Sequence, residues 1–539
     1  MARRLSAVTV MFLAACGSNP APRPNGVEPV RNLPASTIAG DAEIRAAGAL
    51  ITPAKVLTRI SVIADDSMGG RNTPSKGLEM TAQYLADNYR QWGLVPMGEN
   101  GTYFQRYTLA RIRPATPTSS LLVTHDGATD HYALDKWAIV TGPMTAQPIS
   151  GPARIISGAV TAADIAPMTL TGMVVVFVQN PSRAAANALV AGALRQKAPA
   201  MLLVLQNTDP AVFRTNVANV QRDGARPVLM GMPSTPLLIV TAHDSLFATM
   251  QNKPDFEAMR SSPTPVVMDL PPEIVITVIA KEEVVTSSSA PNVVAMMEGT
   301  DSVLKHEYVI FSGHMDHVGT AGDGVGGCAR KGADSICNGA DDDASGTTGI
   351  LSVGEAIARL KGRTKRSIII LNVSGEEKGL LGSAFFATHP TVPMDKVVAD
   401  INMDMIGRNN TDSIVVIGKE HSDMGETLAR VNAAHPELHL AAADDIWPEQ
   451  GFYSRSDHFN FARKGVPVLF FFNGTHPQYH QADDEVKLID TSKLSRVAQL
   501  GFYLGVEIAN TTERPKWNPA SYDLVVVQQK VPPVTVKKP

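Results

Sequence analysis

The chain has 539 residues, 44% of them hydrophobic, and a net charge of −4, enough for two to four domains with well-buried cores. Its 48 Lys and Arg are balanced by 52 Asp and Glu with no long basic run, which argues against a nucleic-acid backbone as partner.

The first sixteen residues read as a targeting segment. Arg3 and Arg4 give a positive start, and Leu5 to Ala15 form an apolar stretch too short to span a bilayer. The stretch ends in Leu13-Ala14-Ala15-Cys16, which resembles a bacterial lipoprotein lipobox and implies lipidation of Cys16, export and an anchor at the cell envelope, periplasmic or surface-facing, with an ordinary signal peptide and an incidental cysteine as the alternative. Residues 17–37, with six Pro or Gly breaks between Pro20 and Pro34, read as a tether. In an oxidising compartment, Cys328 and Cys337, nine positions apart in a Gly-rich loop, are most simply a disulfide.

From Thr52 to Gly93 the pattern predicts helix, with Met80, Tyr84, Leu85 and Tyr89 on one face and Gly93 as the stop. Residues 119–272 change character: "GMVVVFVQN", "RAAANALVAGALRQK" and "AMLLVLQN" give a strand, an Ala-rich helix and a second strand. That order resembles the protease-associated domain inserted into secreted peptidases, and a generic β/α insert stays open beside it. From 273 to 510 strands and helices alternate. "EYVIFSG", "RSIIILNVSG", "VVADINMD" and "VPVLFFFNG" are apolar runs suited to strands covered on both faces, so the fold class is α/β, a mainly parallel open sheet flanked by helices. The Pro- and Val-rich tail, 511–539, reads as irregular or as an edge segment.

The chemistry follows the strands. His314 and Asp316 come after the first, Glu376 and Glu377 after the second, Asp404 after the third, and Tyr479 and His480 after the fourth. Strand carboxyl ends line the crevice of an open α/β sheet, so these groups converge there. Three further acids, Asp341, Asp342 and Asp343, precede the helix starting near Ala344. So many carboxylates in one crevice need cations. His314, His480, Asp341, Glu377 and Asp404 form a mixed nitrogen and oxygen set that favours zinc over magnesium or calcium. Five ligands exceed one open tetrahedral site and suit two metals sharing a carboxylate.

"GHMDHVG", "GADDDASG", "SGEEKGLLGS", "NMDMIGR" and "YHQADD", in this order, resemble the two-zinc exopeptidase family that includes bacterial aminopeptidases and glutamate carboxypeptidase. The resemblance makes 38–118 the first part and 273–510 the main part of a peptidase domain, and implies two zinc ions per chain. It implies Asp341 as the bridging carboxylate, with His314 and Asp404 completing one metal and Glu377 with His480 the other. Asp316 would hold a ligand histidine, Glu376 would be the general base, and Tyr479 would donate to the developing oxyanion. The implied activity is hydrolysis of N-terminal residues from peptides by a water activated between two metals. Carboxypeptidase or dipeptidase specificity, and a non-catalytic metal-binding protein on the same scaffold, remain alternatives. Arg408 divides evenly between substrate binding and pairing an acid. His476 competes with His480 but is disfavoured by the intervening Pro477; His317, Asp342, Asp343 and the Ser456-Asp457-His458 run read as supporting residues. A serine-hydrolase reading of that run fails, because neighbours in sequence do not assemble a triad and no G-x-S-x-G elbow occurs. Oligomeric state is not legible.

Overall fold

The computed structural model describes residues 36–38, 40–224, 228–230, 237–322 and 327–532. The leader with Cys16, almost all of the 17–37 tether and the last seven residues of the tail lie outside the described residues.

Local signals explain where the first helices begin and end. Thr52 accepts the Lys55 N–H ahead of the Pro53–Ile63 helix, whose Pro53 sits in its first turn. Ser75 caps Lys76–Gln91 through the Leu78 N–H, and Gly93 follows at φ +73°, a conformation that costs other residues a Cβ clash. The buried stripe of that helix is Leu78, Ala82, Leu85 and Tyr89. Met80 is 36% exposed, so the apolar face lies to one side of the predicted one: the i, i+4, i+7, i+11 series from Leu78 packs inward and Met80 flanks it.

Among the described residues the main sheet has ten strands. Its centre is formed by the four predicted strands, in the spatial order Ser367–Val373, Tyr308–His314, Val397–Met403, Val468–Phe472, all parallel. Every residue of the 367–373, 397–403 and 468–472 strands is buried, as expected of strands covered on both faces. On one flank Ser367–Val373 pairs antiparallel with the long Glu282–Met297 strand, which pairs antiparallel with Phe104–Pro114. On the other flank Val468–Phe472 pairs antiparallel with Ser413–Ile417. The sheet is thus parallel where the site lies and mixed at its edges.

Two large apolar clusters cover the sheet. The Pro53–Ile63, Ala344–Arg359 and Thr491–Asn510 helices lie on one face, with Val56, Ile350, Ile357, Leu494 and Phe502 fully buried. On the other, Phe386 and Phe461 anchor Leu381–Thr388 and His458–Ala462 against Phe470 and Phe472. Burying each such side chain stabilises the fold by about 1.5–3 kcal/mol before entropy is counted. Order along the sheet fixes where a crevice opens. The chain runs from Tyr308–His314 through a helix to the neighbour on one side, then to Val397–Met403 on the other side. The reversal leaves an open switch point at the carboxyl ends of the 308–314 and 397–403 strands.

Residues 120–279 build two further sheets. One has six strands in the order Pro265–Asp269, Ala153–Gly158, Val174–Val178, Met201–Gln206, Leu238–His243, Ala138–Thr141, and its four inner strands are parallel. The predicted strand, helix and strand are Val174–Val178, Ala184–Gln196 and Met201–Gln206. The other is a four-stranded antiparallel sheet. The two connections to the main unit lie side by side, where the Ala115 N–H donates to the Lys281 carbonyl at 2.7 Å, and between them Val228–Leu229 adds an antiparallel edge strand to Phe104–Pro114 of the main sheet. The tail differs from expectation: Pro519–Tyr522 and Asp523–Val527 are helical turns, which bury Val525 fully in the apolar cluster that also holds Phe461 and Val466.

Candidate metal centre

His314 is the last residue of its strand and Asp404 follows the last residue of the next one, so both stand at the switch point. The His314 imidazole is 1% exposed, with Nε2 3.6 Å from Asp404 Oδ1 and 3.5 Å from Asp342 Oδ1. On the other side of Asp342, His480 Nε2 lies 3.2 Å from Asp342 Oδ2 and 3.2 Å from Glu377 Oε2. Two ligand sets result, His317, Asp342, Glu377 and His480 in one and His314, Asp343 and Asp404 in the other, each with donor atoms within 4.8 Å of one another. Asp342 joins them, one oxygen toward each.

The acid between the two sets is therefore Asp342, and the expectation for Asp341 is corrected. Asp341 is fully buried, but its Oδ1 accepts the Gly407 N–H at 2.7 Å and its Oδ2 faces His476 Nε2 at 3.4 Å. It belongs to a layer behind the centre with His476, Asp484 and Arg408. Asp484 Oδ2 accepts the N–H groups of both Asp341 and Asp342, at 3.0 and 3.2 Å, which fixes the loop. Asp343 caps the Ala344–Arg359 helix, taking the N–H groups of Gly346 and Met405 at 2.8 and 3.0 Å. Three consecutive acids thus point three ways. Spacing does not reveal which one faces the crevice, and hydrogen bonds to residues more than sixty positions away decide it.

The other expected residues are distributed as follows. Asp316 is buried beside His314, with Oδ1 3.6 Å from its Nδ1, and accepts from Thr73 Oγ1 at 2.8 Å and the Glu376 N–H at 3.2 Å. Glu376 and Tyr479 line a cleft with His314, Asp342 and Asp404. The Tyr479 ring stacks on His480, centroids 3.9 Å apart. Arg408 does not line this cleft; its guanidinium turns to Gln478 Oε1 at 3.0 Å and Asp484 Oδ1 at 3.7 Å. Cys328 and Cys337 are disulfide-bonded, with Cα atoms 5.8 Å apart. Their loop lies against the His480 turn, Ala329 donating to the His480 carbonyl at 3.1 Å and accepting from the Ala482 N–H at 3.0 Å.

Electrostatics separates two neighbouring glutamates. Burial opposes ionisation of Glu377, but His317 and His480 hold its carboxyl well below the usual range. Glu376 is pushed well above that range by burial, with repulsion from Glu377, Asp457 and Asp404 only partly offset by His314. Burial likewise works against a charged His314, yet Asp404 and Asp316 lift it well above an ordinary imidazole. Environments that drive two acids apart mark separate roles for them. The donor set fits zinc: imidazole nitrogens mixed with carboxylates, buried, around one shared acid.

Nothing in the sequence marked the wall of the cleft, formed by Met405, Phe452, Arg455, Phe470, Phe472 and Thr475, and it offered Asp342 and His317 only as supporting residues, where both have donor atoms in a ligand set. Ser456, read from the sequence as a supporting residue, donates to Asp404 Oδ2 at 2.9 Å. The "HMDH" spacing was the one available signal for His317.

A probable leucine aminopeptidase of Arthroderma otae is 30% identical over 203 residues, covering 36% of this chain and 54% of that protein. A probable zinc metalloprotease of Pyrenophora tritici-repentis is 37% identical over 182 residues, 28% of this chain and 37% of that protein. The chain spans about half or less of the length of the curated relatives it matches. An aminopeptidase from Aneurinibacillus sp. strain AM-1 superposes with a TM-score of 0.48 at 17% identity, covering 88% of this chain and 98% of that one. Residues 292–504 match Peptidase family M28, and this span contains every acid and histidine of the centre. Residues 292–504 are thus a peptidase family M28 domain.

Proposed function

We propose that the protein is a zinc-dependent aminopeptidase that removes N-terminal residues from peptides and holds two zinc ions. The observation that carries this reading is the position of Asp342, one carboxylate oxygen toward His314 and the other toward His480, with Glu376 left free beside the cleft. His314, Asp342 and Asp404 would hold one ion, and Asp342, Glu377 and His480 the other. Bound zinc would lower the pKa of water toward about 7 and polarise the peptide carbonyl.

The chain's own residues supply the rest. Glu376 stays out of both ligand sets, and its raised carboxyl suits it to take a proton from the attacking water and deliver it to the leaving amine. The Glu376 N–H is tied to Asp316, which fixes that carboxyl relative to His314. Tyr479 presents a phenol to the cleft whose ionisation is pushed above its ordinary 10 by burial and by Asp342 and Glu377, so it stays a donor for the developing oxyanion. Phe452, Phe470, Phe472 and Met405 form an apolar wall for a substrate side chain, and the surplus of acids suits a substrate's free α-ammonium. The relatives described as leucine aminopeptidases favour this specificity over carboxypeptidase action.

We also propose that the chain is exported and anchored through Cys16, which radiolabelled palmitate incorporation into wild type and not into C16A would support. The decisive test of activity is hydrolysis of matched free and N-acetylated peptides with and without chelator. Cleavage of the free peptides alone, lost with chelator and restored by zinc, is expected. Equal cleavage of the blocked peptides sinks the aminopeptidase reading.

A further inference from the structure

His317 is not among the five ligands proposed above, yet it is fully buried within the centre. Its Nδ1 lies 2.8 Å from Glu377 Oε1 and 3.7 Å from Asp342 Oδ2. Its Nε2 is buried with no hydrogen-bond partner among the described residues. The ring has little room to move: a Cβ on Gly339 would stand 2.4 Å from its Cδ2, and its edge meets the His480 ring, centroids 5.5 Å apart at 76°. The Arg71 carbonyl accepts the His317 backbone N–H at 3.3 Å.

The two oxygens of Glu377 therefore have different neighbours. Oε1 faces the His317 ring nitrogen, and Oε2 faces His480. At the other end of the centre, the outer oxygen of Asp404 is held by a hydroxyl, that of Ser456.

We propose that His317 is a positioning residue for Glu377: it donates its Nδ1–H to Oε1 and so turns Oε2 toward the cation position shared by Asp342 and His480. The inference rests on the two-zinc reading above. It has a one-sided consequence, because His317 hydrogen-bonds Glu377, a ligand of one ion only, and meets the shared Asp342 at 3.7 Å through the oxygen that faces His480. A hydrogen bond from outside that orients a ligand carboxylate is worth about 10–100-fold in metal affinity.

The test is competitive Zn2+ titration of the metal-stripped full chain against a chromophoric chelator, for wild type, H317A and H317N. Wild type takes up two equivalents. H317A binds one of them about 10–100-fold more weakly and leaves the other unchanged. H317N, whose amide nitrogen can occupy the place of Nδ1, restores most of the loss. Unchanged binding by H317A overturns the proposal. Equal weakening in H317A and H317N also overturns it and makes His317 itself a ligand. Circular dichroism of the stripped proteins checks folding, and if H317A does not fold, H317N decides alone: near wild-type binding supports the role and loss of one equivalent overturns it. Fewer than two equivalents in wild type removes the two-zinc reading and this inference with it, whereas two equivalents with indifferent variants removes the inference alone.

Discussion

Asp400 sits in the middle of the 397–403 strand, fully buried, and its protonation is linked by hydrogen bonds to Asp404 of the candidate metal centre. Ser312 Oγ lies 2.7 Å from Asp400 Oδ1 and 2.9 Å from Asn402 Oδ1. A hydroxyl has one proton and cannot donate to both. A protonated Asp400 resolves this: it donates to Ser312, Ser312 to Asn402, Asn402 to Ser456 at 3.0 Å, and Ser456 to Asp404. Burial raises the Asp400 carboxyl from its ordinary 3.8 to about 8. The native state thus keeps a proton that the unfolded chain releases above about pH 4. The stability this group contributes is complete below that pH and is lost as pH rises through about 8. Each intervening unit costs about 1.4 kcal/mol, so about 3 kcal/mol separates pH 5 from pH 7. In D400N the amide donates to Ser312 as the acid does and never ionises. Urea denaturation of both proteins at the two pH values should show the stability of D400N relative to wild type rising by about 3 kcal/mol from pH 5 to pH 7. The same difference at both pH values would refute a buried neutral Asp400 and the donor chain built on it.

Replacing Glu376 by Gln should lower kcat/KM about 10²–10⁴-fold while zinc content stays at the wild-type value, checked by peptide hydrolysis and elemental analysis of the same sample; retained activity would remove Glu376 from the role of base. D342N should fail to retain zinc after dialysis, whereas D341N should retain it and lose stability, since the buried Asp341 contacts to Gly407 and His476 hold the loop and not the ions. Removing the disulfide with C328S/C337S should cost roughly 2.5 kcal/mol by loop-closure entropy, read by denaturant titration. Because that loop hydrogen-bonds the His480 turn, the same variant should also release one zinc more readily than the other.

Strands and their order of use were legible because four apolar runs, each followed by an acid or histidine, can only be buried strands delivering groups to one crevice. His314, Glu376, Glu377, Asp404 and His480 come together at the crevice for that reason. Asp341 and Asp342 could not be told apart the same way: in a loop without periodic side-chain direction, the outward or inward turn of each acid is set by partners distant in sequence, Asp484 and Gly407. The cleft wall escaped for a related reason. Phe452 and Arg455 come from a loop remote from the ligand motifs, and Phe470 and Phe472 read from sequence simply as strand core. Met80 shows the limit of helical periodicity, where a large apolar residue beside the buried stripe counts as part of it until packing decides.

The most direct measurement is anomalous X-ray diffraction on zinc-loaded crystals, above and below the zinc absorption edge. Two peaks are expected, roughly 3.5–4 Å apart, one contacting His314, Asp342 and Asp404 and the other contacting Asp342, Glu377 and His480. A single peak, or density beside Asp341 and His476 with Asp342 free of metal, would contradict the proposed centre.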